Sequence, residues 1–211
     1  MRRLFIGLPF TKIRISIFSI ILVAAVFFAD ASVYTFELLL AAFLHECGHV
    51  ASMKAFGVKI HSIEILPSGA LICSDSELLE YKKEAVIAIS GVFINLIFAL
   101  TAYVFYLFIG DIYSLFFCLS NALLLLINIV PVKTLDGNRA LTAIIYGALP
   151  YEKAQKIMDT VEYLSFVLLV FLAWGLLMLT GCNFSLVIFC VYIFFGVYAR
   201  DELKISSKAF Q

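Results

Sequence analysis

Charged side chains are scarce in this sequence. Asp, Glu, Lys and Arg make up only 14% of its 211 residues, where a soluble domain carries about a quarter. Basic and acidic residues balance at 15 each, so net charge gives no case for a nucleic-acid partner. Histidine occurs three times and cysteine five times (Cys47, Cys73, Cys118, Cys182, Cys190). An odd count with no C-x-x-C spacing excludes a disulfide framework and a zinc ribbon, and suits buried thiols in apolar surroundings. Internal repeats and low-complexity runs are also missing. What fills the chain instead is apolar: 64% hydrophobic residues and a mean hydropathy of +1.06. Such a composition belongs to an integral membrane protein.

Six apolar stretches, at about 13–29, 33–56, 85–109, 112–132, 161–180 and 183–200, are long enough to span or nearly span a bilayer. Two polar segments separate them, 57–84 and 133–160. The remaining connections are short and make antiparallel neighbours. If the N-terminus is cytoplasmic, all 15 Lys and Arg fall on the cytoplasmic side, as the positive-inside rule requires. Both termini are then cytoplasmic. Ala29-Asp30-Ala31 resembles a signal-peptide cleavage site, but Arg14 marks the cytoplasmic edge of a retained first helix. The expected fold is all-α and polytopic: six transmembrane helices in one domain, 1–211, with a short β-hairpin between helices 2 and 3. The hairpin is read from two β-prone runs around Leu66-Pro67-Ser68-Gly69, with Pro and Gly placed for a type I turn. Ser74 and Glu77 then suggest a capping box for the next helix. The hairpin reads as an ordinary surface element or as an edge that accepts an extended peptide.

The second apolar stretch contains His45-Glu46-Cys47-Gly48-His49, an H-E-x-x-H motif. On a helix, residues four apart differ by about 40° in azimuth and about 6 Å along the axis. Both imidazoles therefore face one point, and two neutral imidazoles suit zinc. Glu46 is turned by about 100°, placed to act on a bound water as general base. Ionisable residues within a span are expensive and functional by default, and a metal explains three of them in five positions. Zinc that works on water needs a third protein ligand and one open position. His61 is a candidate. Asp136 is the better one, in "NIVPVKTLDGNRAL", where the fourth stretch reaches the depth of the histidines. Pro131 breaks the helix there, Gly137 lets the backbone turn, and Asn128 offers an amide nearby. Glu37 lies about 12 Å from His45 along the same helix and reads as an interfacial residue.

These motifs together resemble the site-2 protease family of intramembrane zinc metalloproteases. The resemblance is carried by HECGH, by Asn128-x-x-Pro131 with Leu135-Asp136-Gly137, and by Gly91 and Asn95 as a glycine-x-x-x-asparagine element. The size, the N-in arrangement and the "ILPSGA" hairpin resemble the stage IV sporulation protein FB group. The resemblance implies one Zn2+ per chain held by His45, His49 and Asp136, with Glu46 activating the water. It implies that Asn128 positions the scissile peptide and that the hairpin at Pro67, Ser68 and Gly69 aligns substrate as an added strand. The implied substrate is a membrane-associated protein cut near the cytoplasmic face, a pro-sigma factor in sporulation, and a regulatory or inhibitory membrane protein is a further expected partner. The C-terminal nucleotide-sensing domain of the well-known FB protein is not expected, because the sequence stops about ten residues after the last span. Three departures are Cys47, where the family often has an aliphatic residue, Val92, where it commonly has proline, and Asn138, where a second glycine is common. The rival readings are a divalent-metal transporter using the same groups and an inactive membrane scaffold. Few further polar groups in the spans disfavour the first, and an intact Glu46 disfavours the second.

Overall fold

The computed structural model describes residues 5–7, 13–66, 69–74, 80–180, 187, 190 and 191. In chain order the elements are β1 (Phe5–Gly7), β2 (Ile13–Ser16), α1 (Ile17–Ala29), α2 (Val33–Ala55), β3 (Ile60–Leu66), β4 (Gly69–Ser74), α3 (Tyr81–Ile109), α4 (Ile112–Asn128), α5 (Asp136–Ala148) and α6 (Tyr151–Thr180). The chain divides into two compact units, Met1–Ile127 and Asn128–Gln211.

In the first unit the expected hairpin is present as β3 and β4, paired antiparallel with Leu66 opposite Gly69. Of the turn residues, Pro67 and Ser68 lie outside the described residues. The hairpin is half of a larger object. β2 pairs parallel with β3, β1 pairs antiparallel with β2, and the four strands run in the order β1-β2-β3-β4. The chain is mostly helical as expected, but the start of the first span is corrected: residues 13–16, assigned above to it, form a strand. Ile13-Arg14-Ile15-Ser16 alternates with the period of two that a strand needs, and Arg14 reaches Glu64 of β3 at 3.4 Å. Of the expected capping box, Glu77 lies outside the described residues. Ser74 closes β4, and α3 begins only at Tyr81 after Glu80, so Ser74 is not its cap.

α1 keeps 13 residues, about 20 Å of helix, against a hydrocarbon core of about 30 Å. Between α1 and α2, Asp30 accepts hydrogen bonds from the Ser32 hydroxyl at 2.8 Å and the Thr35 hydroxyl at 3.0 Å. These bonds hold its carboxyl below the usual carboxylate range. Ser32 in turn caps α2, accepting from the Thr35 N–H. α2 packs on α3 through small residues, with Ala41, Gly48, Ala88, Gly91 and Val92 all buried. Small side chains let two helices approach closely where apolar surroundings supply no hydrophobic drive. A Cβ on Gly48 would stand 2.8 Å from the Ser90 carbonyl oxygen and 3.1 Å from the Gly91 Cα.

In the second unit, α4 has just ended at Asn128, three residues short of Pro131, because the residue before a proline resists helical geometry. Asp136 opens α5, and α6 follows from Tyr151 as one uninterrupted helix of 30 residues. The apolar stretch expected from 161 is the later part of this helix. The charges of 151–160 occupy the first turns of α6, so composition changes along this helix while its backbone continues. The apolar stretch 183–200 lies outside the described residues, except for 187, 190 and 191.

Two helices, Tyr81–Ile109 and Tyr151–Leu179, are long and apolar enough to cross a membrane, and two more, Ile17–Phe28 and Ile112–Asn128, are apolar but shorter. The described helices thus carry the expectation of six spans only in part. Large apolar side chains on these helices are exposed: Phe108 is 86% and Leu179 88% exposed.

Candidate metal centre

His45 and His49 stand one turn apart on the buried face of α2, each about 5% exposed. The intervening Cys47 is exposed, on the opposite side, and Glu46 is half-buried. The two rings meet nearly edge to face at a centroid distance of 4.9 Å. Their Nε2 atoms are 3.2 Å apart.

Each ring is held from behind by α3. His49 Nδ1 lies 2.8 Å from the Ile87 carbonyl oxygen. A carbonyl only accepts, so Nδ1 carries the proton and Nε2 the lone pair. His45 Nδ1 lies 3.0 Å from Asn95 Oδ1, and the same assignment follows there. Two Nε2 lone pairs then converge on one point. The spacing suits a metal: two Zn–N bonds of about 2.0–2.1 Å at a tetrahedral angle put the nitrogens about 3.3 Å apart. Outer contacts of this kind orient ligating histidines and raise their basicity.

Gly91 closes the point of convergence. A Cβ on Gly91 would stand 2.5 Å from His49 Nε2 and 2.7 Å from His45 Nε2. Any other residue would put carbon against the two ligating atoms. Ile87, Gly91 and Asn95 are spaced four apart, so one face of α3 supplies carbonyl, gap and amide to the two histidines on α2. The residue-level reading above left Ile87 unnoticed and gave Gly91 and Asn95 no role. Their spacing was a visible signal of a shared face.

The first unit therefore brings together His45, Glu46 and His49. His61, the alternative third ligand, is exposed on β3. Asn128 and Asp136 belong to the second unit, Asn128 as the last residue of α4 and Asp136 as the first of α5, both half-buried. The reason for Gly137 differs from the one expected. The residue with a positive φ is Thr134, at 85°. Gly137 is needed because a Cβ there would collide with the Ile129 carbonyl, which lies against the start of α5. Glu162 of α6 anchors the same segment. It accepts from Asn138 Nδ2 at 2.9 Å and pairs with Lys133 at 3.7 Å. These two contacts flank Asp136 on both sides in sequence, and composition gave no hint of them.

With this geometry in hand, relatives of known type are informative. The model of peptidase family M50 matches residues 33–115, the segment from the start of α2 into α4. The zinc metalloprotease MJ0392 of Methanocaldococcus jannaschii is 31% identical over 169 residues, 77% of this chain. The comparisons support the M50 peptidase family. The match to MJ0392 covers 47% of that protein, so the chain spans about half the length of this relative. The solved site-2 protease from Methanocaldococcus jannaschii superposes with a TM-score of 0.61 at 23% identity, covering 93% of this chain and 94% of that one. At that identity the likeness shows the fold.

Proposed function

We propose that the chain is an intramembrane zinc metalloprotease of the site-2 type. The observation that carries the reading is the pair of Nε2 atoms 3.2 Å apart, each ring fixed through Nδ1 by α3. The M50 match over this segment supports it. Asp136 completes the donor set: two imidazoles and one carboxylate leave the open position that a catalytic zinc keeps.

Bound zinc supplies Lewis acidity, lowering the pKa of water and polarising a carbonyl. Glu46 takes the proton of the attacking water and delivers it to the leaving amine nitrogen. The water oxygen bonds to the scissile carbonyl carbon as the C–N bond breaks. Asn128 positions the scissile peptide. A helical substrate hides its carbonyls in its own hydrogen bonds and must unwind locally to be cut. Strand addition offsets that loss. β3 is flanked by β2 and β4, whereas β4 pairs on one side only among the described residues. Of the two edge strands, β1 and β4, the substrate strand adds to β4, the arm of the hairpin that opens at Gly69, with Pro67 and Ser68 as further expected contacts.

The active site faces the cytoplasm, both termini lie on that side, and the partners are a membrane-associated protein substrate and a regulatory membrane protein. The positive-inside pattern supports the orientation. The choice of a sporulation pro-sigma factor as substrate rests on the resemblance to the FB group alone. The test is Glu46→Gln in the full chain, with cleavage of a membrane-protein substrate in liposomes and zinc content as readouts. The expected result is a loss of about 10²-fold or more in rate with zinc retained. Unchanged cleavage would remove Glu46 from the mechanism.

A further inference from the structure

We propose that Asn95 is a positioning residue of the metal centre, one that holds His45 in the tautomer able to ligate. The inference rests on the zinc reading above. Asn95 sits in the middle of α3 with no exposed surface, among apolar neighbours such as Val92 and Ala99. Its Oδ1 is 3.0 Å from His45 Nδ1. Its Nδ2 is buried and has no hydrogen-bond partner among the described residues. An orphaned buried donor costs stability, and an apolar residue of the same size avoids that cost. Asn95 is therefore not a general polar brace between helices. What it contributes is the one bond made by its oxygen.

The two histidines differ in how they are held. The Ile87 carbonyl beside His49 is an acceptor under all conditions, so that ring has one tautomer. The amide beside His45 is reversible. With Oδ1 toward the ring, Nδ1 carries the proton and Nε2 is a ligand. With the amide rotated by half a turn, Nδ2 donates to Nδ1 and the ring proton moves to Nε2. There it faces His49 Nε2 at 3.2 Å as a hydrogen bond, and neither nitrogen is offered to a metal. An aspartate at 95 accepts only, and so permits the ligating tautomer alone. A leucine permits neither bond.

The experiment is chelator-competition zinc affinity on the detergent-purified full chain, with the visible absorption of the Co2+ form and the melting temperature of the metal-free protein alongside. Wild type, Asn95→Asp and Asn95→Leu are compared. Asn95→Leu is expected to lose about 10–100-fold in zinc affinity and to shift the Co2+ bands, with a metal-free melting temperature no lower than wild type. Asn95→Asp is expected to bind zinc at least as tightly as wild type. Wild-type affinity and spectrum in Asn95→Leu would overturn the proposal, as would weakened binding in Asn95→Asp. Should Asn95→Leu not fold, the aspartate variant alone decides. No zinc in the wild type would overturn the zinc reading itself and this inference with it.

Discussion

α2 carries two polar sites of opposite character. At one end, Glu37 has one carboxylate oxygen that is buried and without a hydrogen-bond partner among the described residues, and the residue lines a cavity of about 470 Å3 together with Phe36, Leu40, Phe98, Phe105 and Phe117. Asp111 lines the same cavity, but its Oδ2 is engaged by the Ser114 N–H and hydroxyl at the start of α4. Eight residues further on, His45 and His49 are buried more deeply, and each has its outward nitrogen fixed by α3. A polar residue in an apolar helix is thus not a site by itself. What separates the two ends is the neighbouring helix: Ile87, Gly91 and Asn95 are shaped around the histidines, and among the described residues no such set of contacts holds Glu37.

The comparison can be broken in order of expected effect. His49→Ala removes one of two converging lone pairs and should abolish tight zinc binding and all proteolysis, read by metal analysis and by cleavage. Gly91→Ala keeps every ligand yet puts a methyl group against both Nε2 atoms. It should lower zinc affinity by about 100-fold or more, an effect of about 3 kcal/mol, seen in chelator competition. A Gly91→Ala protein with wild-type affinity would show that α3 does not crowd the ion. Glu162→Leu unties Lys133 and Asn138 on either side of Asp136. Charged hydrogen bonds of this exposure are worth about 1 kcal/mol, so zinc affinity should fall several-fold and catalysis with it. Glu37→Leu should leave zinc content unchanged. By removing an unpartnered buried oxygen it should raise stability by about 1 kcal/mol, visible as a small rise in melting temperature. If Glu37→Leu instead loses zinc or activity, the two ends of α2 are coupled and the contrast fails.

The parts of the molecule legible in sequence were those fixed by local spacing. H-E-x-x-H dictates its own geometry once helical, and Cys47 faces away as its position requires. The hairpin was visible in two β-prone runs about Pro67. Long-range pairing was not visible. β2 is four residues long and joins β3 fifty positions away, so no local pattern announces it. Asn95 and Ile87 escaped because their role lies in contact with another helix. Gly137 was noticed for turning the chain, whereas the structure needs it for the close approach of Ile129.

The central proposal is that the histidines of α2, held by α3, bind zinc with Asp136 as the third ligand. Its most direct test is the zinc content of the detergent-purified chain beside His45→Ala, Asp136→Ala and His61→Ala. The account predicts about one zinc per wild-type chain, lost in His45→Ala and Asp136→Ala and kept in His61→Ala. A wild type without tightly held zinc would contradict the site itself, and zinc retained by Asp136→Ala would contradict its third ligand.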